Sequence, residues 1–437
     1  MPAATVNWDH CLAYAASTDV GMRRSNNEDS HAVVVAGDYE SYLSRGHVFI
    51  VADGMGFHAA GELASKLAVD GVPHLYLKRK ELSPPESLVE AITETNAEIH
   101  RRGEANAEFN GMGTTISSLV ILPQGAFVAH VGDSRVYRLR AGKLEQLTFD
   151  HSLVWEMKHG SPLAEELDLK GIVSSNVITR CLGPKESVKV DIEGPHPIQL
   201  GDTFLLCSDG LSGQVTDEEI GPMLAALHPR EAVRALIDLA NLRGGPDNIT
   251  VIVVRITGQD LVTGAVAADP IVVGSERTER TVHPAWWVTM GVAFLAAVVL
   301  VITGWAIAAL VTGAIGLAAM TSIIIQLYGG LGKGEIVLGG DRKLGDGPYA
   351  EAPGTPSEEV VGKFSKLVNE LIAATDGQSW SIDRGPFDEH VQLARNAEKG
   401  AKPAQALREY SHAISYMMQE LRAQKKRQKT SDSGIDL

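Results

Sequence analysis

Asp53, Asp133, Asp209 and Asp247 share a setting: each adjoins an apolar, β-like run and a small residue. "FIVADG" ends in Asp53-Gly54, "FVAHVGDSR" reaches Asp133, and "DTFLLCSDG" reaches Asp209-Gly210; "GGPDNITVIVV" puts Asp247 just ahead of a strand. A turn explains any one of these acids, because Asp bonds its own backbone and Gly accepts positive φ. The recurrence favours a metal cluster. Short carboxylates on rigid strands suit hard divalent cations, with water completing the coordination. Brought together without a cation, they would repel one another.

Upstream, "TDVGMRRSNNEDS" sets Arg24 four residues before Glu28. A planar guanidinium makes bidentate contacts with phosphate oxygens, so an arginine beside a carboxylate-metal site points to a phosphoester substrate rather than a carbonyl one. Taken alone, Arg24 reads equally well as a surface or ion-pair residue.

The elements that must hold these groups alternate between β runs and helices. Gly113–Leu122, Gly125–Gly132, Ser134–Arg140 and Lys143–Thr148 follow one another across short turns and predict antiparallel neighbours. Apolar periodicity predicts helices near Ala59–Tyr76, Pro85–Arg102 and Pro229–Leu242. Such an order describes a sheet-rich α+β domain rather than an alternating parallel one.

The whole chain has 437 residues, a formal net charge of -15 and a pI near 5.4, which argues against a nucleic-acid-binding surface. Cys11, Cys181 and Cys207 show neither metal-site spacing nor an even disulfide framework, as in a reducing compartment. The polar N-terminus predicts no secretory leader. From Pro284 to Gly332 there is no Asp, Glu, Lys or Arg. One membrane span takes roughly 20 apolar residues, so this stretch suits two, with Trp286, Trp287, Trp305 and Tyr328 as interface anchors. Arg277 and Arg280 precede it and Lys333, Arg342 and Lys343 follow it. Positive charge at both ends predicts a hairpin turning near Gly304 to Thr312, with both flanks cytoplasmic. The expected division is a soluble domain over 1–258, a linker over 259–283, a transmembrane segment over 284–332 and a second soluble region over 333–437. In that last region Gly334–Thr355 reads as loop and the remainder as helix.

In order along the chain, "GMRRSNNED", "VADGMGFHAAGELAS", "MGTT", "AHVGDSRVYRL", "LTFDHSLV", "GDTFLLCSDGLSG" and "GGPDNITVIVV" resemble the serial motifs of the metal-dependent (type 2C) protein Ser/Thr phosphatases, bacterial branch. The resemblance spans about residues 12 to 256. It implies two antiparallel sheets sandwiched between helices, an αββα arrangement, with a Mn²⁺ or Mg²⁺ pair at one edge. By motif position it implies that Asp53 bridges the two cations, that the Gly54 carbonyl ligates one, and that Asp209 and Asp247 complete the pair. Glu28 would act through a bound water, Asp133 would serve a third, weaker metal site, and Arg24 would hold the substrate phosphate. The implied reaction is hydrolysis of phosphoserine or phosphothreonine in proteins by a water bridging the cations, opposing Ser/Thr kinases. Ser152 to Val177 would correspond to the family's variable flap. Two residues depart from the pattern. Met55 stands where eukaryotic members have a histidine, leaving water or His58 as a general acid, and Phe57 replaces a usual Gly.

A membrane-anchored, phosphate-recognising scaffold with little catalysis is the alternative; it would need a lost metal ligand, and none is lost. Near the C-terminus, Ala394, Ala406, Tyr410 and Ala413 resemble one tetratricopeptide-type helix pair, with Leu393 and Ile414 closing it. A plain amphipathic hairpin gives the same pattern. The basic run "AQKKRQK" suits anionic headgroups as well as solvent.

Overall fold

In the computed structural model the described residues are 7–56, 59–160, 177–274, 284–328, 336–338, 342–377 and 383–432. The chain forms two compact units: residues 1–269 with 339–437, and residues 270–338.

The first unit is built on two antiparallel sheets. Its strands are β1 (Leu12–Asp19), β2 (Asp29–Val34), β3 (His47–Met55), β4 (Gly113–Thr114), β5 (Ile116–Leu122), β6 (Gly125–Val131), β7 (Arg135–Arg140) and β8 (Lys143–Gln146). After these come β9 (Asp191–His196), β10 (Thr203–Cys207) and β11 (Ile249–Ile256). In the second unit β12 (Ile271–Val273) pairs with β13 (Ile336–Leu338), and β14 (Ala350–Pro353) returns to the first. One sheet runs β1-β11-β10-β7-β8-β14 and the other β2-β3-β5-β6-β9, with β4 beside β3.

The continuous apolar runs exist because both faces of these strands are covered. On β11, Ile252, Val254 and Ile256 meet Phe49, Leu119 and Val128 of the opposite sheet, while Ile249, Val251 and Val253 join the outer core. That period of two is the strand's own geometry. Helix α1 (Tyr39–Arg45) connects β2 to β3. Against the β2-β3 sheet lie α2 (Ala60–Lys78) and α3 (Pro84–Ala105). Pro84 in the first turn of α3 and Glu86, which accepts from the Ser83 N–H at 3.3 Å, start that helix. After β8 comes α4 (Leu153–Gly160), and after β10 come α5 (Asp209–Ser212), α6 (Asp217–Ala226) and α7 (Pro229–Leu242). Helices α6 and α7 cover the other sheet.

The four successive β runs are not consecutive neighbours. β5 pairs with β6 in one sheet and β7 with β8 in the other, so the chain changes sheets at Gly132–Ser134. Gly132 has φ +121, and a Cβ there would lie 2.5 Å from the side chain of Thr115, so only glycine makes this crossing. The strand expected over Gly113–Leu122 is likewise divided between β4 and β5.

The C-terminal region differs more from expectation. Residues 339–437 belong to the same compact unit as the sandwich. Within the stretch read as loop, β13 and β14 form, and β14 pairs with β8 from Ala350↔Gln146 to Pro353↔Lys143. "AEAP" has no strand-forming composition; the edge of β8 recruits it, and Pro353 is tolerated at an edge. Helices α10 (Glu358–Gly377), α11 (Gly385–Lys399) and α12 (Pro403–Asp432) then add a further layer beyond α6 and α7. Phe364, Phe387 and Tyr410 are fully buried in a core continuous with Leu236 and Leu239 of α7. Each buried phenylalanine contributes about 1.5–3 kcal/mol. Ala394, Ala406, Tyr410, Ala413 and Ile414 are buried, but Leu393 is 41% exposed. Phe387 and Val391 take the inward positions on α11 instead.

In the second unit, α8 (Pro284–Ile302) and α9 (Ala306–Tyr328) pack as an antiparallel pair, with Gly316 against the ring of Phe294. The turn is tight, over Thr303–Trp305, with Gly304 at φ +81, and does not extend to Thr312. Among the described residues no helix is long and apolar enough to cross a membrane. Arg277, Arg280, Lys333, Phe57, His58 and residues 161–176 of the flap lie outside the described residues.

Candidate active site

β3 sits between β2 and β5, and its last buried residues lead directly to Asp53. The backbone of Asp53 is bonded on both sides. Its N–H donates to Thr115 Oγ1 at 2.9 Å, and its carbonyl accepts from the Thr115 N–H at 2.8 Å and the Thr114 hydroxyl at 2.9 Å. This is what "MGTT" does. Gly54 must be glycine, since a Cβ would meet the Gly61 carbonyl at 2.1 Å and the Glu28 carbonyl at 2.5 Å. The Gly54 N–H donates to that Glu28 carbonyl at 3.1 Å.

The β2–β3 register places Asp29 directly opposite Asp53. Asp29 is buried, and its Oδ2 accepts from the Ser208 hydroxyl at 2.7 Å, one residue before Asp209. Asp133, at the sheet crossing, is also buried. From the second sheet, β10 delivers Asp209 and the start of β11 delivers Asp247. A Cβ on Gly210 would lie 1.9 Å from the Asn248 carbonyl, so glycine lets these two acid-bearing turns touch. Asn248 ties down the remaining loop: its Oδ1 accepts from the Glu28 N–H at 2.7 Å, and its Nδ2 donates to the carbonyls of Val20 and Asn26 at 3.0 and 2.9 Å. Arg24, on that loop, donates from Nη2 to Asp247 Oδ2 at 2.7 Å.

Burial and mutual repulsion dominate the electrostatics here. Desolvation, followed by the charges of Asp29, Asp209, Asp133 and Asp247, pushes the Asp53 carboxyl well above the usual range. Burial lifts Asp29 and Asp133 to about 7 and raises Asp209 as well. Glu28 is raised by burial and partly lowered by Arg24. One oxygen of Asp29 (Oδ1) and one of Asp133 (Oδ1) are buried with no hydrogen-bond partner. Unpartnered carboxylate oxygens in a crowded anionic group fit divalent cations. Among the described residues, three ligand atoms within 4.8 Å of one another occur at His10–Cys11–Asp260 and His390–Glu409–His412, not here.

The structure therefore brings together Asp53, Gly54, Asp133, Asp209, Asp247, Glu28 and Arg24. It adds Asp29 and Asn248, which sequence reasoning missed. Both adjoin residues already singled out, in "NNED" and "GGPDN", but adjacency does not reveal which neighbour points inward.

His151, fully buried, supports the crossing that carries Asp133. Its Nδ1 accepts from the Gly132 N–H at 2.9 Å, so its Nε2 carries the proton and donates to Asp191 Oδ2 at 2.8 Å. Burial would raise the Asp191 carboxyl, but the His151 hydrogen bond and the Arg180 guanidinium hold it well below the usual range. A carboxylate depressed in the folded state stabilises above its unfolded pKa of about 3.9, and that contribution is lost as pH falls through the folded value. Asp191→Asn should therefore cost about 1–3 kcal/mol at neutral pH, and the difference from wild type should close on acidification. Urea midpoints measured from about pH 7 down to about pH 2 check this, with the gap narrowing only below about pH 4; equal midpoints at pH 7 would show that Asp191 contributes no ionised-state stability.

Residues 23–240 match the family model described as Protein phosphatase 2C. The serine/threonine phosphatase stp of Listeria monocytogenes is 38% identical over 243 residues, 54% of this chain and 93% of its own length. The solved serine/threonine phosphatase of S. agalactiae is 33% identical with a TM-score of 0.50, covering 56% of this chain and 99% of that one. The catalytic domain of the phosphatase PstP, solved with two manganese ions, is 33% identical with a TM-score of 0.47, covering 57% of this chain and 99% of that one.

Proposed function

This chain belongs to the protein phosphatase 2C family of hydrolases, and on that premise we propose that it is a membrane-anchored phosphatase of phosphoserine and phosphothreonine in proteins, opposing Ser/Thr kinases. The observation that carries the catalytic reading is the convergence of Asp29, Asp53 and Asp133 from one sheet with Asp209 and Asp247 from the other, with buried carboxylate oxygens left unpartnered.

Asp53, Asp209, Asp247 and the Gly54 carbonyl would hold a Mn²⁺ or Mg²⁺ pair, with Asp133 serving a third cation and Glu28 acting through a bound water. When bound, the pair supplies an acidified water and neutralises phosphoryl charge. The protein's own work is positional. Asp53 cannot shift, because Thr114 and Thr115 fix its backbone. Arg24 commits one N–H to Asp247, leaving further donors of its fork for phosphate oxygens. Met55, directly after Asp53-Gly54, carries no transferable proton, so the leaving alkoxide is protonated by water or by His58.

Hydrolysis of a phosphothreonine peptide by the full chain tests this reading. Arg24→Ala should lower kcat/KM by about 10- to 100-fold, chiefly through KM, as expected for a lost charged hydrogen bond. Metal affinity measured by calorimetry should hold. Unchanged KM and kcat would return Arg24 to a surface role.

Anchoring rests on the charge-free run Pro284–Gly332 and on the outward apolar side chains of α8 and α9, among them Leu295, Ile302, Ile307 and Leu310. The residues preceding and following this pair in sequence belong to one compact unit. A bilayer does not divide one folded unit, which supports an even number of spans with both flanks on the same side; the positive charges at both ends of the run favour the cytoplasmic side. A reporter fused after Leu437 should be active only if cytoplasmic; extracytoplasmic activity would refute the hairpin.

A further inference from the structure

A second cluster of metal-ligating side chains lies in the C-terminal layer, away from the strand-end acids. His390 on α11 and Glu409 and His412 on α12 each offer one ligand atom, all within 4.8 Å of one another. His390 Nδ1 is 2.8 Å from Glu409 Oε2, and His412 Nδ1 is 4.0 Å from the same oxygen. A tetrahedral cation with bonds of about 2.0–2.2 Å separates its ligand atoms by roughly 3.3 Å, between these two values. The three side chains are half-buried, and His390 and His412 line a cavity of about 370 Å³ with room for a water as fourth ligand.

The far side of His412 supplies the independent observation. Its Nε2 lies 3.3 Å from Glu231 Oε1 on α7, and the other oxygen of Glu231 accepts from the His228 N–H at 2.9 Å. Glu231 is thus held in place beside His412 Nε2. His412 Nδ1 then lies on the side of the Glu409 carboxylate, 4.0 Å from Oε2. A cation placed between them would take His390, Glu409 and His412 as ligands, and a carboxylate behind a ligating histidine is the usual support for one. Arg230 and Arg234 line the same cavity, but Arg234 bonds Gln419 and pairs with Asp238 at 3.7 Å.

We propose that His390, Glu409 and His412 bind one cation of the Zn²⁺ class, with Glu231 orienting His412, and that this ion fastens α11 and α12 to α7. Two imidazoles and a carboxylate select Zn²⁺ over Mn²⁺ or Mg²⁺, whereas the all-oxygen strand-end site has the opposite preference. The chain then carries two metal sites of different chemistry, one at the edge of the sandwich and one joining its outermost layers.

The test uses the full chain in detergent, stripped of metal and then supplied with excess Mn²⁺ before titration with Zn²⁺ against a chromophoric chelator. Wild type should bind one tight Zn²⁺ that the His390→Ala/His412→Ala variant lacks, and Zn²⁺ should raise the melting temperature of wild type alone. Co²⁺ in its place should give the intense visible absorption of a tetrahedral N/O site. Glu231→Gln should weaken Zn²⁺ binding by about 10- to 100-fold, which also serves if the double variant fails to fold. Equal Zn²⁺ affinity and stoichiometry in wild type and either variant would overturn the proposal. So would loss of the tight Zn²⁺ in Asp53→Asn, which would place the ion among the strand-end acids. Mn²⁺-dependent turnover of the double variant reports separately on the strand-end site.

Discussion

Asp53→Asn is expected to reduce Mn²⁺-dependent hydrolysis of a phosphopeptide by more than about 10²-fold, beyond the roughly 10- to 100-fold lost with a residue that only supports a metal ligand, while the domain stays folded. Asn keeps the shape of Asp, and the hydrogen bonds that fix this position come from its backbone to Thr114 and Thr115. What is lost is one negative charge in a group where burial and four neighbouring carboxylates already oppose ionisation. The metal-free variant should therefore melt no lower than metal-free wild type, so that lost turnover cannot be assigned to unfolding. EDTA should silence wild type, and Mn²⁺ or Mg²⁺ should restore it. Near-normal turnover in Asp53→Asn would remove this residue from the metal site.

The second large effect is expected at Gly210. An added methyl would lie 1.9 Å from the Asn248 carbonyl, which is backbone and cannot swing aside. The turn carrying Asp209 must then separate from the loop carrying Asp247, and Asn248 is the residue that also ties down Val20, Asn26 and Glu28. Overpacking of this kind costs about 1–3 kcal/mol, and a displacement of about 1 Å at a reacting constellation costs about 10²-fold in rate. Gly210→Ala should show both, with weakened metal affinity by calorimetry. Gly37→Ala is the control: a Cβ there meets nothing within 4 Å, and its stability should stay within about 0.5 kcal/mol of wild type. Equal activity of the two variants would mean that the contact between the two turns does not set the site's geometry.

The chemistry was legible where it is written in neighbouring residues. An Asp-Gly after "FIVA", "FLLCSDG" and "PDNITVIVV" joins a carboxylate to a strand within a few positions, so strand ends and their acids could be read together. α7 was bounded at Pro229 and Leu242 because proline at its first turn and an apolar period of 3.6 are local signals. Asp29 was not legible. Whether Glu28 or Asp29 faces the acids depends on the β2–β3 register, and a shift of one residue exchanges the faces of a strand.

By itself, then, the sequence determined the donor types, their attachment to rigid strands, a sheet-rich α+β domain whose sandwich form the family resemblance implied, and a long segment without charge. Only the tertiary structure decided that β6 and β7 lie in different sheets, which carries Asp133 to the other acids. It also decided that residues 339–437 return to the catalytic unit, with β14 on the edge of β8 and α12 over α7. Helix and strand periods repeat within a few residues and can be read along the chain. Sheet partnership, register and the docking of a distant helix depend on which surfaces remain uncovered once the rest has folded, and no local stretch records that.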